Sequence, residues 1–317
     1  MIIRSEKQKD YFDIAEIHAL SFTYSHGMGE VPLVDVHRHR KEFDSDLSLV
    51  AEEDGRVVGH CLFTTHKLLL NGETIKAAIL APIAVDPNVQ KKGIGRQLIE
   101  EGHKRLMDKG YEMALLLGHS DYYPRFGYET NMFGTCHIEI ERSKLHLSGA
   151  ELSERRVAAA DLPWLSSLWD QWFSDVDLAL KPGNSILDWI SNDKSTVSSV
   201  VVRNSEAIGY IRYSKASPSK FVCFLAKSAL DVSEMLGYIH AKCSDVPEQP
   251  LIIPVHPESS AVKQFIQHPY EQKMGTWAAA MIKELTPNPL IIKYVEEMKA
   301  GNRNCGLIIW PVEFDVC

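Results

Sequence analysis

Apolar and polar residues in the first half of the chain alternate or cluster in a way that predicts several strands. Four strands are predicted over residues 2–4, 47–52, 56–65 and 73–85. The pairs Asp54-Gly55 and Asn71-Gly72, which separate the last three of these runs, favour tight hairpin turns. We therefore expect antiparallel neighbours within one sheet.

Helical spacing of apolar residues marks two further segments. A first helix is predicted after Asp10, a candidate N-terminal cap, and a second over residues 94–107 before the stop signal Lys109-Gly110. Residues 25–39 are predicted to be irregular. Beyond the second helix we predict a strand, a short helix or turn, and a further strand, over residues 113–117, 122–126 and 128–141. Antiparallel hairpins combined with helical crossovers predict an α/β protein with a mixed sheet.

The second half repeats the order of the first, which predicts an internal duplication. Asp161 follows Asp10 by 151 positions, and Gly209 follows Gly59 by 150, each pair in similar apolar surroundings. One group of aromatic residues in the second half has helical spacing and is predicted to be core: Trp164, Trp169, Trp172 and Phe173.

The duplication leads to a predicted division of the chain. We expect a first domain over residues 1–145 and a second over residues 152–285, with the polar stretch 142–155 as their linker. A tail, residues 286–317, is expected to pack on the domains as an extra helix and strand.

Composition and charge restrict the classes of function. The chain has 317 residues, of which 45% are hydrophobic and 24% charged, and a net charge of −8. These values are typical of a soluble protein and argue against nucleic acid as a partner. The N-terminus has no apolar signal core, and the longest apolar stretch, residues 77–85, is about half as long as a membrane helix. We therefore expect a cytoplasmic protein without a membrane partner.

Neither the cysteines nor the histidines have the spacing of a metal site. The six cysteines are scattered without a Cys-x-x-Cys pair, which predicts reduced thiols at Cys61, Cys136, Cys223, Cys243, Cys305 and Cys317. His37 and His39 alternate as two ligands on a strand do, but arginines flank them and no third ligand is near. We therefore predict no metal site.

The clearest chemical signal lies in residues 90–96, where a predicted strand gives way to a predicted helix. The segment contains Gly93 and Gly95, and glycine leaves room for a ligand against the backbone. Unpaired N–H groups at a helix start, together with the helix dipole, favour a pyrophosphate. Three side chains add positive charge: Lys91, Lys92 and Arg96.

Two common phosphate-binding motifs fail on the residues present. A dinucleotide fingerprint needs a third glycine where this chain has Leu98. A P-loop needs lysine and then serine or threonine after the last glycine, but Arg96-Gln97 follows Gly95. A helix that simply begins with glycines beside a solvated basic patch is the plain alternative.

Two motifs of the first half resemble those of one enzyme superfamily. Gln90-x-x-Gly93-x-Gly95, preceded by Ile83-Ala84-Val85-Asp86-Pro87, resembles the acetyl-CoA signature of the GCN5-related N-acetyltransferase (GNAT) superfamily. The run Tyr123-Pro124-Arg125-Phe126-Gly127-Tyr128 is similar to the Tyr-x-x-x-Gly-Phe/Tyr sequence with which the family commonly ends this region. The resemblance covers residues 1–142 and implies the GNAT acyl-CoA acyltransferase fold.

The resemblance implies a role for each matched position. Backbone groups at the strand end would pair with the pantetheine arm of acetyl-CoA, the co-substrate: Ile83, Ala84 and Val85. Amides of the following loop would hold its pyrophosphate: Gln90, Lys91, Lys92, Gly93, Ile94, Gly95 and Arg96. Tyr123 corresponds to the usual general acid, with Tyr122 as its neighbouring competitor. His119 and Ser120 follow the predicted strand and are expected near the cofactor.

The implied activity is an N-acetyltransferase that moves an acetyl group to a primary amine by direct attack. No motif fixes the base that deprotonates the amine, for which the candidates are Glu30, Asp35, His37 and His119. The acceptor is expected to be a small-molecule or peptide amine, and aminoglycosides, polyamines, amino acids, peptides and protein lysines all fit. A homodimer is common in this family, and the sequence leaves the oligomeric state open.

The second half departs from the family pattern. After the predicted strand 221–226 the chain reads Lys227-Ser228-Ala229-Leu230-Asp231, without a glutamine or a glycine pair. We therefore expect a degenerate GNAT-like domain that has lost its phosphate loop. Two alternatives for the whole protein stay open: a non-catalytic acyl-CoA-binding or regulatory protein, and a transferase that uses a longer acyl group or a hydroxyl acceptor.

Overall fold

A computed structural model describes residues 1–22, 28–145, 151–243 and 249–310, which form two mixed sheets with helices against them. In spatial order the first sheet contains β1 (Ile2–Ser5), β2 (Ser48–Glu53), β3 (Arg56–Leu70), β4 (Glu73–Val85), β5 (Met113–Leu117) and β13 (Ala280–Glu284). The second contains β12 (Glu271–Thr276), β6 (Gly134–Ile140), β11 (Leu251–Ile253), β10 (Ser217–Ala226), β9 (Glu206–Ser214), β8 (Thr196–Arg203) and β7 (Leu152–Arg156). This arrangement confirms the predicted mixed α/β class.

The described helices connect and cover the sheets. They are α1 (Tyr11–Ser21), α2 (Val31–Arg38), α3 (Ile94–Asp108), α4 (Leu162–Phe173), α5 (Ala229–Lys242), α6 (Ser260–Phe265) and α7 (Pro289–Lys299). Within the described part of the chain, no helix has both the length and the apolar character that a membrane crossing requires. The same residues contain no group of three or more His, Cys, Asp or Glu side chains arranged to hold a metal ion.

The central feature of the first sheet is a gap between two parallel strands. β4 pairs with β5 over Ala77–Ile79 and Met113–Leu115, and both strands then continue. Just beyond this pairing, the register between β3 and β4 shifts, so that Ala81 and Pro82 lie opposite Leu62. A bulge of this kind bends a strand, and proline is tolerated there because a bulged residue does not need to donate a ladder hydrogen bond.

The two halves share a local motif at the start of their first helices. Arg4 donates to Asp10 (2.7 Å), and Asp10 also accepts from the Lys7 N–H (2.7 Å). Arg155 donates to Asp161 (2.7 Å), and Asp161 also accepts from the N–H of Ala158 (2.8 Å). The second set follows the first by 151 positions throughout, which supports the predicted duplication. In neither helix does the aspartate cap α1 or α4 itself, since it binds the preceding turn.

One strand of each half belongs to the sheet of the other half. β6 pairs with β11 and β12 in the second sheet, and β13 pairs with β5 in the first. The predicted division into residues 1–145 and 152–285 stays a prediction, but each predicted domain contains a strand that lies in the other sheet.

Four local predictions were wrong. Residues 31–38 form α2 within the segment predicted to be irregular. Pro32 does not prevent this helix, because it lies in the first helical turn, where its missing N–H leaves no hydrogen bond unmade. The strand predicted over 128–141 is shorter, since β6 begins at Gly134, and β7 occupies part of the predicted linker. In the tail, α7 forms but residues 307–310 form no strand; there the chain follows the backbone of Asp177, to whose oxygen the N–H of Leu307 donates (2.9 Å).

Helix α3 packs against β3 through a position without a side chain. A Cβ on Gly102 would lie 2.0 Å from Cε2 of Phe63, so glycine lets the Phe63 ring of β3 pack directly against the backbone of α3. On the second sheet, three members of the predicted aromatic core are buried, Trp169, Trp172 and Phe173, and Trp164 is partly buried against them.

Candidate active site

The loop between β4 and α3 places several backbone N–H groups in one direction. The buried Asp86 carboxylate accepts from the N–H of Asn88 (2.9 Å) and fixes the turn after β4. Lys91 and Gly93 then adopt left-handed φ values of 63° and 82°, a region that glycine enters without strain. The N–H of Gln97 makes the first helical bond, to the oxygen of Gly93 (3.1 Å). The N–H groups of residues 94–96 therefore have no partner inside the helix.

A cavity of about 770 Å³ lies beside this loop, and we call it the loop cavity. The residues that line it are Ile83, Ala84, Val85, Gln90, Lys91, Gly93, Ile94, Gly95, Arg96, Glu100, His119, Tyr122, Tyr123, Arg125 and Phe126. Most of the residues predicted from the motifs are thus brought together around one space. Lys92 and Ser120 are exposed and lie outside this lining.

Sequence reasoning missed three residues of the loop cavity, Glu100, Arg125 and Phe126. Arg125 and Phe126 belong to the motif that begins at Tyr123, and the guanidinium of Arg125 lies 5.4 Å from the ring centre of Tyr122. Their position within this motif is the sequence signal that could have identified them as lining residues. Glu100 lies further along α3 and forms a surface ion pair with Arg96 (2.8 Å), a pattern common on any exposed helix.

The motif glutamine ties the loop to the end of the strand. Nε2 of Gln90 donates to the carbonyl oxygen of Val85 (3.1 Å), and the hydroxyl of Ser21 on α1 donates to the same oxygen (3.1 Å). The Gln90 side chain therefore shapes the loop, which explains why glutamine belongs to the motif.

A smaller cavity of about 150 Å³ occupies the gap between β4 and β5, under α1 and α2. We call it the apolar cavity, and its lining is Phe22, Glu30, Leu33, Ile79, Leu80, Ala81, Pro82, Ile83, Leu117, Gly118, His119, Tyr123 and Trp310. Ile83, His119 and Tyr123 line both cavities. The two cavities therefore adjoin at the end of the gap between the strands, with these three residues as their common wall.

The two neighbouring tyrosines differ in what they face. Tyr122 lines the loop cavity alone, whereas Tyr123, only 8% exposed, lines both cavities. Burial raises the pKa of Tyr122, while Arg125 opposes that rise. A phenol at the junction can serve chemistry that involves both cavities, so the geometry favours Tyr123 over Tyr122 as the acid.

Two glycines give Tyr123 its place. A Cβ on Gly118 would lie 2.4 Å from a ring carbon of Tyr123, so glycine there lets the ring lie against the end of β5. Gly127, with a φ of 83°, ends the short 3-10 helix Tyr123–Phe126 in the left-handed region. The fixed spacing from tyrosine to glycine in the motif follows from this one-turn helix.

The structure separates the four candidate bases into two pairs. Glu30, which is 5% exposed, and His119 line the apolar cavity. Asp35 is exposed on the outer face of α2. His37 is buried away from both linings, and burial, reinforced by Arg40, lowers the pKa of its imidazole to about 3. Glu30 and His119 are therefore the two candidates that line a cavity between β4 and β5.

Comparison with known proteins agrees with this geometry. The family model described as an acetyltransferase (GNAT) domain matches residues 2–131. A GNAT family acetyltransferase from Brucella melitensis, in complex with acetyl-CoA, is 38% identical over 40% of this chain and 82% of its own, with a TM-score of 0.36. This chain belongs to the GNAT superfamily.

Two further proteins are similar to this GNAT protein. The uncharacterized N-acetyltransferase YjhQ of Escherichia coli is 36% identical over 122 residues, which are 38% of this chain and 66% of the relative. This chain thus spans less than two thirds of the length of that curated relative. A GCN5-related N-acetyltransferase from Kribbella flavida covers 89% of this chain and 70% of its own, with a TM-score of 0.67 and 16% identity. That last likeness shows that the fold of both halves is shared.

The second GNAT-like unit has a different residue where a pyrophosphate would lie. Helix α5 is capped by Ser228, whose hydroxyl oxygen accepts from the N–H of Asp231 (3.2 Å) in the first turn. The Asp231 carboxylate is buried and pairs with Arg203 (3.0 Å). A carboxylate at the helix start interacts favourably with the helix dipole and opposes a phosphate there. The absence of a phosphate loop from this unit stays a prediction.

Proposed function

We propose that this GNAT protein is an N-acetyltransferase that moves an acetyl group from acetyl-CoA to a primary amine by direct attack. The observation that carries the proposal is that Tyr123 lines both the loop cavity and the apolar cavity. A thioester in one cavity and an amine in the other come together beside one phenol. The Brucella melitensis relative, which is 38% identical, is in complex with acetyl-CoA, and this supports the same co-substrate here.

The lining of the loop cavity suits the parts of acetyl-CoA. The N–H groups of residues 94–96 and the dipole of α3 favour the pyrophosphate, and Lys91 and Arg96 add charge. Gly95 keeps the space open, since a Cβ there would lie 3.2 Å from the Tyr122 hydroxyl. Pairing of β4 with β5 ends at Ile79, so the β4 edge at residues 83–85, which line the loop cavity, offers backbone groups to the pantetheine amides.

Three residues that line the apolar cavity account for the proton transfers. Glu30 or His119 takes a proton from the ammonium group, and the neutral nitrogen attacks the thioester carbonyl carbon. The C–N bond forms and the C–S bond breaks. Tyr123 gives its hydroxyl proton to the departing sulfur, so that coenzyme A leaves as a thiol. The nitrogen loses its second excess proton to solvent as the amide forms. The base then releases its proton to solvent, and Tyr123 takes one proton back from solvent.

Paired tyrosine variants test the assignment. Tyr123→Phe is expected to bind acetyl-CoA as the unchanged protein does and to lose about 10²–10⁴-fold in turnover, the usual contribution of a positioned acid. Tyr122→Phe removes a hydroxyl from the loop cavity alone and is expected to keep turnover within about tenfold. Thiol release with a panel of amines gives turnover, and calorimetry gives the acetyl-CoA affinity. Equal turnover in Tyr123→Phe and the unchanged protein would show that Tyr123 is not the acid.

A further inference from the structure

One turn of the chain carries both a candidate base and the candidate acid. The N–H groups of Tyr122 and Tyr123 donate to the carbonyl oxygen of His119, over 3.1 Å and 3.4 Å. The second of these bonds joins residues four positions apart, as in an α-helix, where such residues lie on the same side. His119 and Tyr123 therefore lie on one side of a single turn, which the 3-10 helix Tyr123–Phe126 continues.

The linings of the two cavities agree with this arrangement. His119 and Tyr123 line both the loop cavity and the apolar cavity, whereas Tyr122 lines only the loop cavity. Glu30, the other candidate base in this region, lines only the apolar cavity. Of the two candidate bases, His119 is thus the one that shares both linings with the acid.

His119 and Glu30 also differ in their access to solvent. His119 is exposed, whereas Glu30 is 5% exposed. A base must release the proton that it has taken before the next turnover, and an exposed imidazole exchanges protons with bulk water directly. Imidazole is also the side chain whose charge ordinarily changes between about pH 5 and 8, which suits a group that takes and releases one proton in each turnover.

The second half of the chain holds both ends of the segment that carries this turn. At one end, the N–H of Gly118 donates to the carbonyl oxygen of Ala279 (3.0 Å). At the other end, Glu129 and Ile282 exchange two backbone hydrogen bonds, of 2.8 Å and 3.1 Å. Ala279 immediately precedes β13 and Ile282 lies within it, so this strand of the second half fixes the ends of residues 118–129.

We propose that His119 is the base of the acetyltransfer, that it acts with Tyr123 as an acid–base pair on one turn, and that β13 positions this pair. This inference rests on the proposed acetyltransfer and chooses one of its two candidate bases. It also gives the second half of the chain a task in the reaction.

The protons and bonds balance over one turnover. His119 takes one proton from the ammonium group, and the neutral nitrogen forms the C–N bond. Tyr123 gives its proton to the sulfur as the C–S bond breaks, and the second excess proton of the nitrogen goes to solvent. His119 then releases its proton to solvent, and Tyr123 takes one back.

Several charged or titratable groups surround His119 and bear on its titration. Besides Asp121 two positions along, the groups that share a cavity lining with it are Glu30 on α2, Tyr122, Tyr123 and Arg125 on the turn and its 3-10 helix, and Lys91, Arg96 and Glu100 on the loop and α3. These groups stay in place when His119 alone is replaced. The pH profile of a variant, compared with that of the unchanged protein, therefore reports on His119.

The pH profile of kcat/KM separates a base from a structural residue. The acceptor is the amine that gives the highest thiol release in the panel. In the unchanged protein, kcat/KM is expected to rise with pH as the imidazole becomes neutral and then to level off, below the pKa of the acceptor amine. His119→Gln must take the neutral amine from solution, so its kcat/KM is expected to be about 10²–10⁴-fold lower at pH 7 and to rise about tenfold per pH unit up to the pKa of the amine.

Glu30→Gln is the matched variant, since it removes the charge of the other candidate and retains the imidazole. Its kcat/KM is expected to level off as in the unchanged protein. His39→Gln replaces an exposed histidine outside both linings and is expected to keep the whole profile. Loss of the plateau in Glu30→Gln, with its retention in His119→Gln, would overturn the inference and assign the base to Glu30.

Chemical rescue distinguishes a missing base from a displaced turn. Added imidazole is expected to raise formation of the acetylated amine by His119→Ala about tenfold or more, and to raise that of Tyr123→Phe not at all. Turnover in His119→Gln equal to that of the unchanged protein would overturn the inference and leave the acetyltransfer in place. Absence of thiol release with every amine, in protein that binds acetyl-CoA, would contradict the proposed acetyltransfer and the inference with it.

Discussion

Tyr123 illustrates what single residues reveal before a structure is known. Its spacing to Gly127 was enough to nominate it, because the spacing reflects a one-turn helix that ends in left-handed backbone. The spacing favours Tyr123 over Tyr122 but gives no physical reason for the difference. That reason is which cavities each tyrosine ring lines. Glu30 was one of four open candidates for the base, since its position against β4 and β5 depends on the packing of α2.

The pKa of His103 predicts a pH dependence of stability. Burial, reinforced by Lys283, lowers the pKa of this imidazole from 6.5 to about 4, and its Nε2 lies 3.0 Å from the Tyr128 hydroxyl. The unfolded chain therefore binds more protons between these pH values, so stability is full above pH 6.5 and falls as the pH drops toward 4.

A matched pair of histidine variants checks this dependence. His103→Gln keeps a hydrogen-bonding group but does not titrate, so its unfolding temperature is expected to fall less steeply than that of the unchanged protein between pH 6.5 and 4. His39→Gln replaces an exposed histidine and is expected to leave the slope unchanged. Identical slopes in His103→Gln and the unchanged protein would exclude His103 as a contributor.

At the scale of elements, the strand, loop and helix that form the cradle were predictable, whereas α2 was not. The segment from β4 to α3 carries hydrophobic periodicity, turn residues and a glycine pair in one short stretch, all of which act locally. Helix α2 has eight residues with glycine and proline near its start, and local signals favour a loop there. The segment forms a helix because its apolar face, which includes the buried Leu33 and Val34, packs against the sheet.

The packing of α3 on β3 gives a test at this scale. Helix propensity alone predicts that Gly102→Ala stabilises α3 by about 1 kcal/mol. The contact of 2.0 Å that a Cβ would make with Phe63 predicts the opposite, and overpacking of a core typically destabilises by about 1–3 kcal/mol. We expect a net loss in the free energy of unfolding by urea, together with weaker acetyl-CoA binding, because α3 begins at the cradle. Lys104→Ala, on the exposed face, is the control, and a more stable Gly102→Ala would contradict the packing argument.

At the scale of the whole molecule, the duplication was predictable and the exchange of strands was not. Repeated positions such as Asp10 and Asp161 are visible in the sequence because both halves follow one pattern. The apolar sequence of β13 predicts that this strand is buried, but it does not predict in which sheet the strand lies. Strand pairing depends on contacts between residues far apart in the chain. The cytoplasmic location and the homodimer stay predictions from the sequence.

The exchanged strand predicts that a change in the second half impairs the first. Met281 on β13 is fully buried in the core beneath α3 and lies opposite Leu116 on β5. Met281→Asp is expected to destabilise the protein by about 4 kcal/mol or more, through an unpaired buried charge, and to reduce the fraction that binds acetyl-CoA. Ile292→Asp, at a position 41% exposed on α7, is expected to change stability by about 0.5 kcal/mol or less. Full acetyl-CoA binding and unchanged stability in Met281→Asp would contradict the strand exchange.

Calorimetric titration with acetyl-CoA tests the central claim most directly. NADH and ATP are titrated separately as control ligands, and two variants of Gly93 are compared with the unchanged protein. Gly93 has a φ of 82°, and a Cβ at this position would have no atom within 4 Å, so Gly93→Gln and Gly93→Glu carry the same backbone strain and differ by one charge. We predict micromolar binding of acetyl-CoA, none of NADH or ATP, and a much larger loss of affinity in Gly93→Glu than in Gly93→Gln. Absence of acetyl-CoA binding in the folded protein, or equal affinity in the two variants, would contradict the assignment of the cradle.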